Sequence, residues 1–262
     1  MANNASYPDM VGKVALITGG GVGLGKAMAQ AFAAQGATVV IADVNQKAGQ
    51  AAQTDINRSG GKSVFVTADV GYSDQVAALM DAVKAQCGGL DYLINNAGLT
   101  QFGRPQLAEI GEDQFDQIVR VNLKGVWLCM RYGIPLMLEK GAGCIVNISS
   151  AMGLVSQPGV SIYTATKHGV LGLTKAGAIE YGRRGIRVNA ICPGRHETPM
   201  IQSNKARYTP EAWEEQVARV HPATGRMGRP EEIAAAALFL CSETASNIHG
   251  VALPVDGGFV IQ

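Results

Sequence analysis

Seven short runs of consecutive apolar, mostly β-branched residues recur along the chain: KVALIT (13–18), TVVIAD (38–43), SVFVTA (63–68), LDYLIN (90–95), CIVNIS (144–149), IRVNAI (186–191) and VALPVD (251–256). Strict alternation would mark strands wetted on one face. Unbroken apolarity instead marks strands buried on both, as in a parallel sheet covered by helices. The segments between them have helix length and are rich in alanine, as in GKAMAQAFAAQG and PEEIAAAALFLC. Gly36 and Gly60 stand at the expected helix C-caps. The pattern predicts a single α/β domain over 1–262, a doubly wound seven-stranded parallel sheet with helices on both faces and a tail at about 1–10. One segment breaks the rhythm. Residues 194–229 exceed what a crossover helix requires and carry Met200, Tyr208, Trp213 and Met227 among charges, as a lid beyond the strand ends would.

Composition narrows the class. Hydrophobic residues make up 47% of the 262 and charged residues 16%, which suits a soluble protein with an extensive core. A net charge of +1 without basic or acidic blocks makes nucleic acid and anionic membranes poor partners. MANNASYPDM lacks the charged and apolar regions of a signal peptide, and no apolar run reaches the ~18 residues of a membrane span. Cys87, Cys129, Cys144, Cys192 and Cys241 lie far apart, mostly in apolar surroundings, with no C-x-x-C and no His/Cys cluster. Reduced buried thiols, no metal and a cytoplasmic setting are the expectation.

LITGGGVGLGKAMA follows the first strand and opens the first helix. Glycines at 19, 23 and 25 allow a tight turn and close approach to a pyrophosphate, which the helix N-terminus would attract. A strict G-x-G-x-x-G is absent; the spacing is T-G-x-x-x-G-x-G. Asp43, at the end of the second strand, can accept hydrogen bonds from both ribose hydroxyls and would repel a 2′-phosphate. No arginine stands beside it, although Lys47 is near, so NAD is expected over NADP; the plainer reading of Asp43 is a helix cap. Asp69 could face the adenine amino group or cap the next helix.

In SIYTATKHG, Tyr163 precedes Lys167 by one helical turn. Alone, such a pair is most often an exposed tyrosine and lysine on a helix surface. Company changes that. Thr18 to Gly25, NNAG (95–98), Asn122 in VNLKG, NISS (147–150), Tyr163-x-x-x-Lys167, PG (193–194) and VDGG (255–258) fall in order over nearly the whole chain. In this arrangement the chain resembles the short-chain dehydrogenase/reductase family.

The resemblance implies a Rossmann fold and a catalytic tetrad of Asn122, Ser150, Tyr163 and Lys167. The chemistry asks for those types. Oxidising an alcohol sends a hydride to nicotinamide and a proton to a base, and a free phenol of pKa about 10 is a weak base at neutral pH. A nearby ammonium favours phenolate, so Lys167 is expected to make Tyr163 acidic. Ser150, chosen over Ser149 by family spacing, would hold the substrate oxygen, and Asn122 would organise a water leading protons outward. Lys167 would also bind the nicotinamide ribose, and Thr198 the carboxamide. His168 points off that helix face and reads as structural. Implied dinucleotide contacts are Gly19, Gly21, Val22, Gly23, Leu24, Gly25, Asp43, Val44, Asp69, Val70, Asn96, Ala97, Gly98, Tyr163, Lys167, Pro193, Gly194 and Thr198.

Substrate would sit above Tyr163, between Leu99, Thr100 and Gln101 on one side and Met152, Leu154 and Gln157 on the other, under the lid. Most of these are apolar, so the expected substrate is a hydrophobic cyclic, terpenoid, steroid-like or aryl secondary alcohol or its ketone. Arg195 and His196 could meet an anionic substrate or the cofactor phosphates, but are expected to be solvated lid residues. His249 stands where relatives commonly carry threonine. Two alternatives compete: an NADPH-dependent carbonyl or 3-oxoacyl reductase, which Asp43 disfavours, and an NAD(H)-sensing protein, which would not need Tyr163 and Lys167. Apolar outer positions on the helices at 112–138 and 161–182 predict a homotetramer, the pairing that relatives use.

Overall fold

The computed structural model describes residues 5–101, 103–199, 201, 205 and 208–261; Met200 of the expected lid lies outside them. Seven parallel strands form one sheet in the order β3-β2-β1-β4-β5-β6-β7. They are β1 (Val14–Thr18), β2 (Thr38–Asp43), β3 (Lys62–Thr67), β4 (Tyr92–Asn95), β5 (Gly143–Ile148), β6 (Ile186–Pro193) and β7 (Ala252–Val255). Each corresponds to one of the seven apolar runs. β1, β4 and nearly all of β5 and β6 are buried throughout, which is why their sequences do not alternate. The order reverses between β1 and β4, which is the switch point beyond whose carboxyl ends sheets of this kind bind their ligands.

Helices cover both faces. α1 (Gly23–Ala34) and α8 (Pro230–Cys241) pack side by side on one. Met28, Phe32, Ile233 and Leu238 fill the core there against Ile17, Ile94 and Val146. α3 (Ser73–Cys87), α5 (Gly125–Lys140) and α6 (Ser161–Tyr181) cover the other, burying Val76, Leu79, Leu128, Met137 and Val170. α2 (Gln46–Arg58) flanks β2 and β3.

The predicted helix over 112–138 is continuous from Glu112 to Lys140 but not uniform: α4 (Glu112–Val119) passes into α5 through a π turn at Arg120–Lys124. Asn122 lies in that turn, fully buried. In the lid, α7 (Pro210–Val220) sets Trp213 against Tyr208 at a tilt of 55°, ring centroids 5.6 Å apart. A parallel bridge between His196 and Gly228 fastens the lid's two ends together.

Candidate active site

β1 ends at Thr18, and the backbone must turn at once into α1. Gly19 makes this possible with φ +62°. A Cβ at Gly25 would fall 2.1 Å from the Gly19 carbonyl oxygen, so no larger residue fits there. The loop is braced by the motif after β4. Thr18 Oγ1 accepts from the Asn96 and Ala97 amides, both at 3.0 Å, and Asn96 Nδ2 donates to the Thr18 and Gly19 carbonyls at 2.9 and 3.1 Å. NNAG therefore acts through a side chain as well as through backbone.

Asp43 reaches across: its Oδ2 accepts from the Gly21 amide at 2.9 Å and its Oδ1 from Asn45. Asn45, not Asp43, caps α2. Val22 and Val44 stay 53% and 64% exposed, apolar side chains left bare at the rim of the loop. Leu24 and Val70 turn inward instead; both side chains pack in the core, so what they offer a dinucleotide is backbone. Asp69 does not cap α3. It pairs with Arg120 at 3.1 Å and accepts from the Gly71 amide, while Arg120 lies over the Tyr72 ring. Thr198 faces the loop, its Cγ2 3.5 Å from where a Gly23 Cβ would sit. Gly194, just past Pro193, lies against Asp256 too tightly for a side chain.

Tyr163 and Lys167 share one face of α6, the Lys167 ammonium 5.6 Å from the centre of the tyrosine ring. Lys167 is only 4% exposed, and Nζ donates to the Ile148 carbonyl at 2.8 Å. An ammonium has three donors, so two are left for other partners. Burial pushes its pKa down to about 8. Burial also raises Tyr163, with the nearby Ser150 hydroxyl pulling the other way. The expected acidification by Lys167 is therefore not what the protein alone shows: desolvation is the largest influence on Tyr163. Ser149 spends its hydroxyl on the Lys167 carbonyl at 2.9 Å, whereas Ser150 turns to the phenol and accepts only from the Met152 amide.

Asn122 fixes the opposite wall. Its Oδ1 accepts from the Leu99 amide at 2.7 Å and its Nδ2 donates to the Leu99 carbonyl at 2.9 Å. A Cβ at Gly98 would lie 3.4 Å from Asn122 Oδ1 and 3.6 Å from Lys167 Nζ, which puts the two polar groups on either side of one point. Met152 and Gln157 lie half-buried beyond Ser150, and Leu154 is more exposed. His168 is exposed, its Nδ1 on the Thr164 carbonyl, clear of the site.

Two expectations need correcting. Gln101 does not wall the pocket with a free side chain. It is 5% exposed, and its Oε1 accepts from the Ile162 and Tyr163 amides at 2.9 and 3.3 Å while Nε2 donates to Gly159. Val160, at the N-cap of α6, supplies no cap, so Gln101 satisfies the helix start from another loop. Nor are Arg195 and His196 solvated. His196 is 3% exposed because its backbone pairs with Gly228, and burial lowers its pKa; Arg195 is half-buried.

Residues 20–260 match the family model described as Enoyl-(Acyl carrier protein) reductase, one of the short-chain dehydrogenases/reductases. The chain belongs to the short-chain dehydrogenase/reductase family. It is 42% identical over 252 residues to a 2,5-dichloro-2,5-cyclohexadiene-1,4-diol dehydrogenase from Sphingobium indicum, covering 96% of this chain and 98% of that one. It is 40% identical to a cis-4-hydroxycyclohexanecarboxylate dehydrogenase from Sinomonas cyclohexanicum, over 94% of this chain and 96% of that protein. The crystal structure of levodione reductase superposes with a TM-score of 0.90 at 36% identity, covering 96% and 98% of the two chains.

As a short-chain dehydrogenase/reductase the protein is an alcohol oxidoreductase that uses a nicotinamide cofactor, NAD or NADP. The residues fit such a group: a glycine turn leads from β1 into the N-terminus of α1, and a carboxylate stands at the end of β2. Sequence reasoning missed Thr166, whose hydroxyl joins the Tyr163 carbonyl to Asn122 Nδ2, and the Gln101 cap. Neither has a local signal. The Gln101 partners lie 61 and 62 residues away.

Proposed function

We propose that the protein interconverts a hydrophobic cyclic secondary alcohol and its ketone with NAD(H), using Tyr163 as acid and base. The observation that carries the reading is the grouping of Ser150, Tyr163 and Lys167, with the ammonium 5.6 Å from the centre of the tyrosine ring. In the oxidative direction Ser150 holds the substrate oxygen and Tyr163 takes its proton. The nicotinamide supplies the hydride acceptor. Lys167 would present its two remaining donors to the cofactor ribose and, while protonated, a positive charge to the phenol. Asn122, held in the π turn, orders the wall through which the proton leaves. Two curated relatives named for six-membered-ring substrates support the ring alcohol.

Asp43 supports NAD over NADP. Its carboxylate is fixed at the glycine loop by Gly21 and Asn45, where a 2′-phosphate would meet an immobile negative charge. A panel of cyclohexanols followed by NADH absorbance tests both statements: turnover at least tenfold faster in kcat/KM with NAD than NADP is expected. A preference for NADP, or turnover of linear acyl thioesters only, would give the reductase alternative.

A homotetramer belongs to the same reading. Val119, Leu123, Trp127, Gly172 and Leu173 line an apolar groove between the α4–α5 helix and α6, and Trp127 is left 41% exposed. Sedimentation at micromolar concentration should show a species of four chains; a monomer would remove it.

A further inference from the structure

We propose that Gln101 and Thr166 are positioning residues for the reacting base, holding the backbone of Tyr163 at its N–H and its C=O and tying both to the loop after β4. This rests on the reading of Tyr163 as acid and base, and adds what sets the place of its phenol.

The start of α6 takes its acceptor from outside the helix. The first bond internal to this turn runs from the Thr164 amide to the Val160 carbonyl at 2.8 Å, so the Ile162 and Tyr163 amides come too early for one. Val160 has no side-chain acceptor, and among the described residues only Gln101 Oε1 takes these two donors, at 2.9 and 3.3 Å. Gly159, at φ +78°, offers its carbonyl to Gln101 Nε2 at 3.2 Å. One buried side-chain amide thus grips the chain on both sides of Val160, and one of its bonds ends on Tyr163 itself.

The Tyr163 carbonyl is held from the other side. Thr166, also buried, donates its hydroxyl to that carbonyl at 2.8 Å, and the same oxygen accepts from Asn122 Nδ2 at 3.5 Å. Asn122 in turn bonds both the amide and the carbonyl of Leu99. Two routes therefore join Tyr163 to Leu99 and Gln101, which are two residues apart on one loop. Both end on backbone, so Gln101 and Thr166 act through Tyr163 and not on the substrate. A helix start is ordinarily satisfied by water or by a serine, threonine, aspartate or asparagine at the N-cap. Here the cap comes from the loop whose Leu99 and Thr100 would wall the substrate, so base and wall share one frame. The phenol oxygen stands at the far end of the side chain, where a small tilt of the helix start is magnified. A misplacement of about 1 Å can cost on the order of 10²-fold in rate.

The test uses NAD and the best substrate of the cyclohexanol panel. Gln101→Met, similar in length but without acceptor or donor, should lower kcat about tenfold or more, with the Kd for NADH changed by less than about twofold. Thr166→Val should lower kcat severalfold. In a Tyr163→Phe background no phenol is left to place, so each change should cost less than about twofold of the residual rate. Losses of equal size in the two backgrounds would make both residues merely structural and overturn the proposal. A Gln101→Met kcat within about twofold of wild type would do the same. Hydrogen exchange reads the clamp without the reaction: in Gln101→Met the Ile162 and Tyr163 amides should exchange about tenfold faster or more, and Thr164, held by Val160, should change less. Unchanged exchange at those two amides also overturns the clamp. If Gln101→Met does not fold, Thr166→Val decides by the same comparison of backgrounds. Near-wild-type turnover by Tyr163→Phe would bring down the reading of the base, and the positioning with it. Low turnover by Tyr163→Phe beside full turnover by Gln101→Met would bring down the positioning alone.

Discussion

Tyr163→Phe is expected to cut alcohol oxidation by roughly 10²–10⁴-fold while the protein still binds NADH, because the ring keeps its place on α6 and only the proton acceptor is gone. Stopped-flow turnover and fluorescence titration of NADH would check the two halves. The wild type should show how the base is tuned. Burial holds the phenol above its ordinary value, so oxidation needs a form that becomes populated only as pH rises. The kcat/KM for oxidation should therefore climb from neutral into alkaline pH, and ketone reduction, which uses the protonated phenol, should not. Turnover by Tyr163→Phe close to wild type would remove the tyrosine from the mechanism.

Lys167→Met is expected to separate activity from stability. Losing the ammonium beside the phenol should lower turnover by about 10²-fold or more. The same change should make the fold more stable at neutral pH. Lys167 is buried with one carbonyl partner, and its pKa falls from an ordinary 10.5 to about 8. Between those values the unfolded chain binds a proton that the folded chain releases, so wild-type stability rises with pH through that window. Below pH 8 the lysine is charged in both states and its burial costs on the order of 3 kcal/mol, a cost methionine avoids. Denaturation at pH 7 and pH 10 should show the variant's advantage shrinking as pH rises. An advantage that grew with pH, or a variant less stable at pH 7, would contradict this account. A bound dinucleotide would narrow the difference by giving the free donors partners.

Much of this arrangement could be read from the order of residues, for identifiable reasons. A strand buried on both faces has to be apolar throughout, so β1, β2 and β5 announce themselves within a residue or two. A position where a Cβ would fall 2.1 Å from a carbonyl oxygen admits only glycine, so the turn into α1 does too. What escapes the sequence depends on contacts between distant segments. The π turn at Arg120–Lys124 inserts one residue into a helical turn, and a pattern of apolar positions scarcely registers it. Gln101 reads as a polar residue lining a pocket, because nothing near it reveals that α6 begins uncapped. His196 looks like a solvated lid residue until Gly228 covers it. The acidity of Tyr163 turned on burial, which spacing does not encode.

The bond between Asp43 and the Gly21 amide also limits how this scaffold can be re-engineered. On the reading of Asp43 as selecting NAD, exchanging the acid for a small or basic side chain to admit a phosphorylated dinucleotide would strip the turn of its brace at the same stroke. A designer would have to restore that lost acceptor elsewhere, so a change of coenzyme requires two coordinated substitutions where the one-dimensional pattern suggests a single swap.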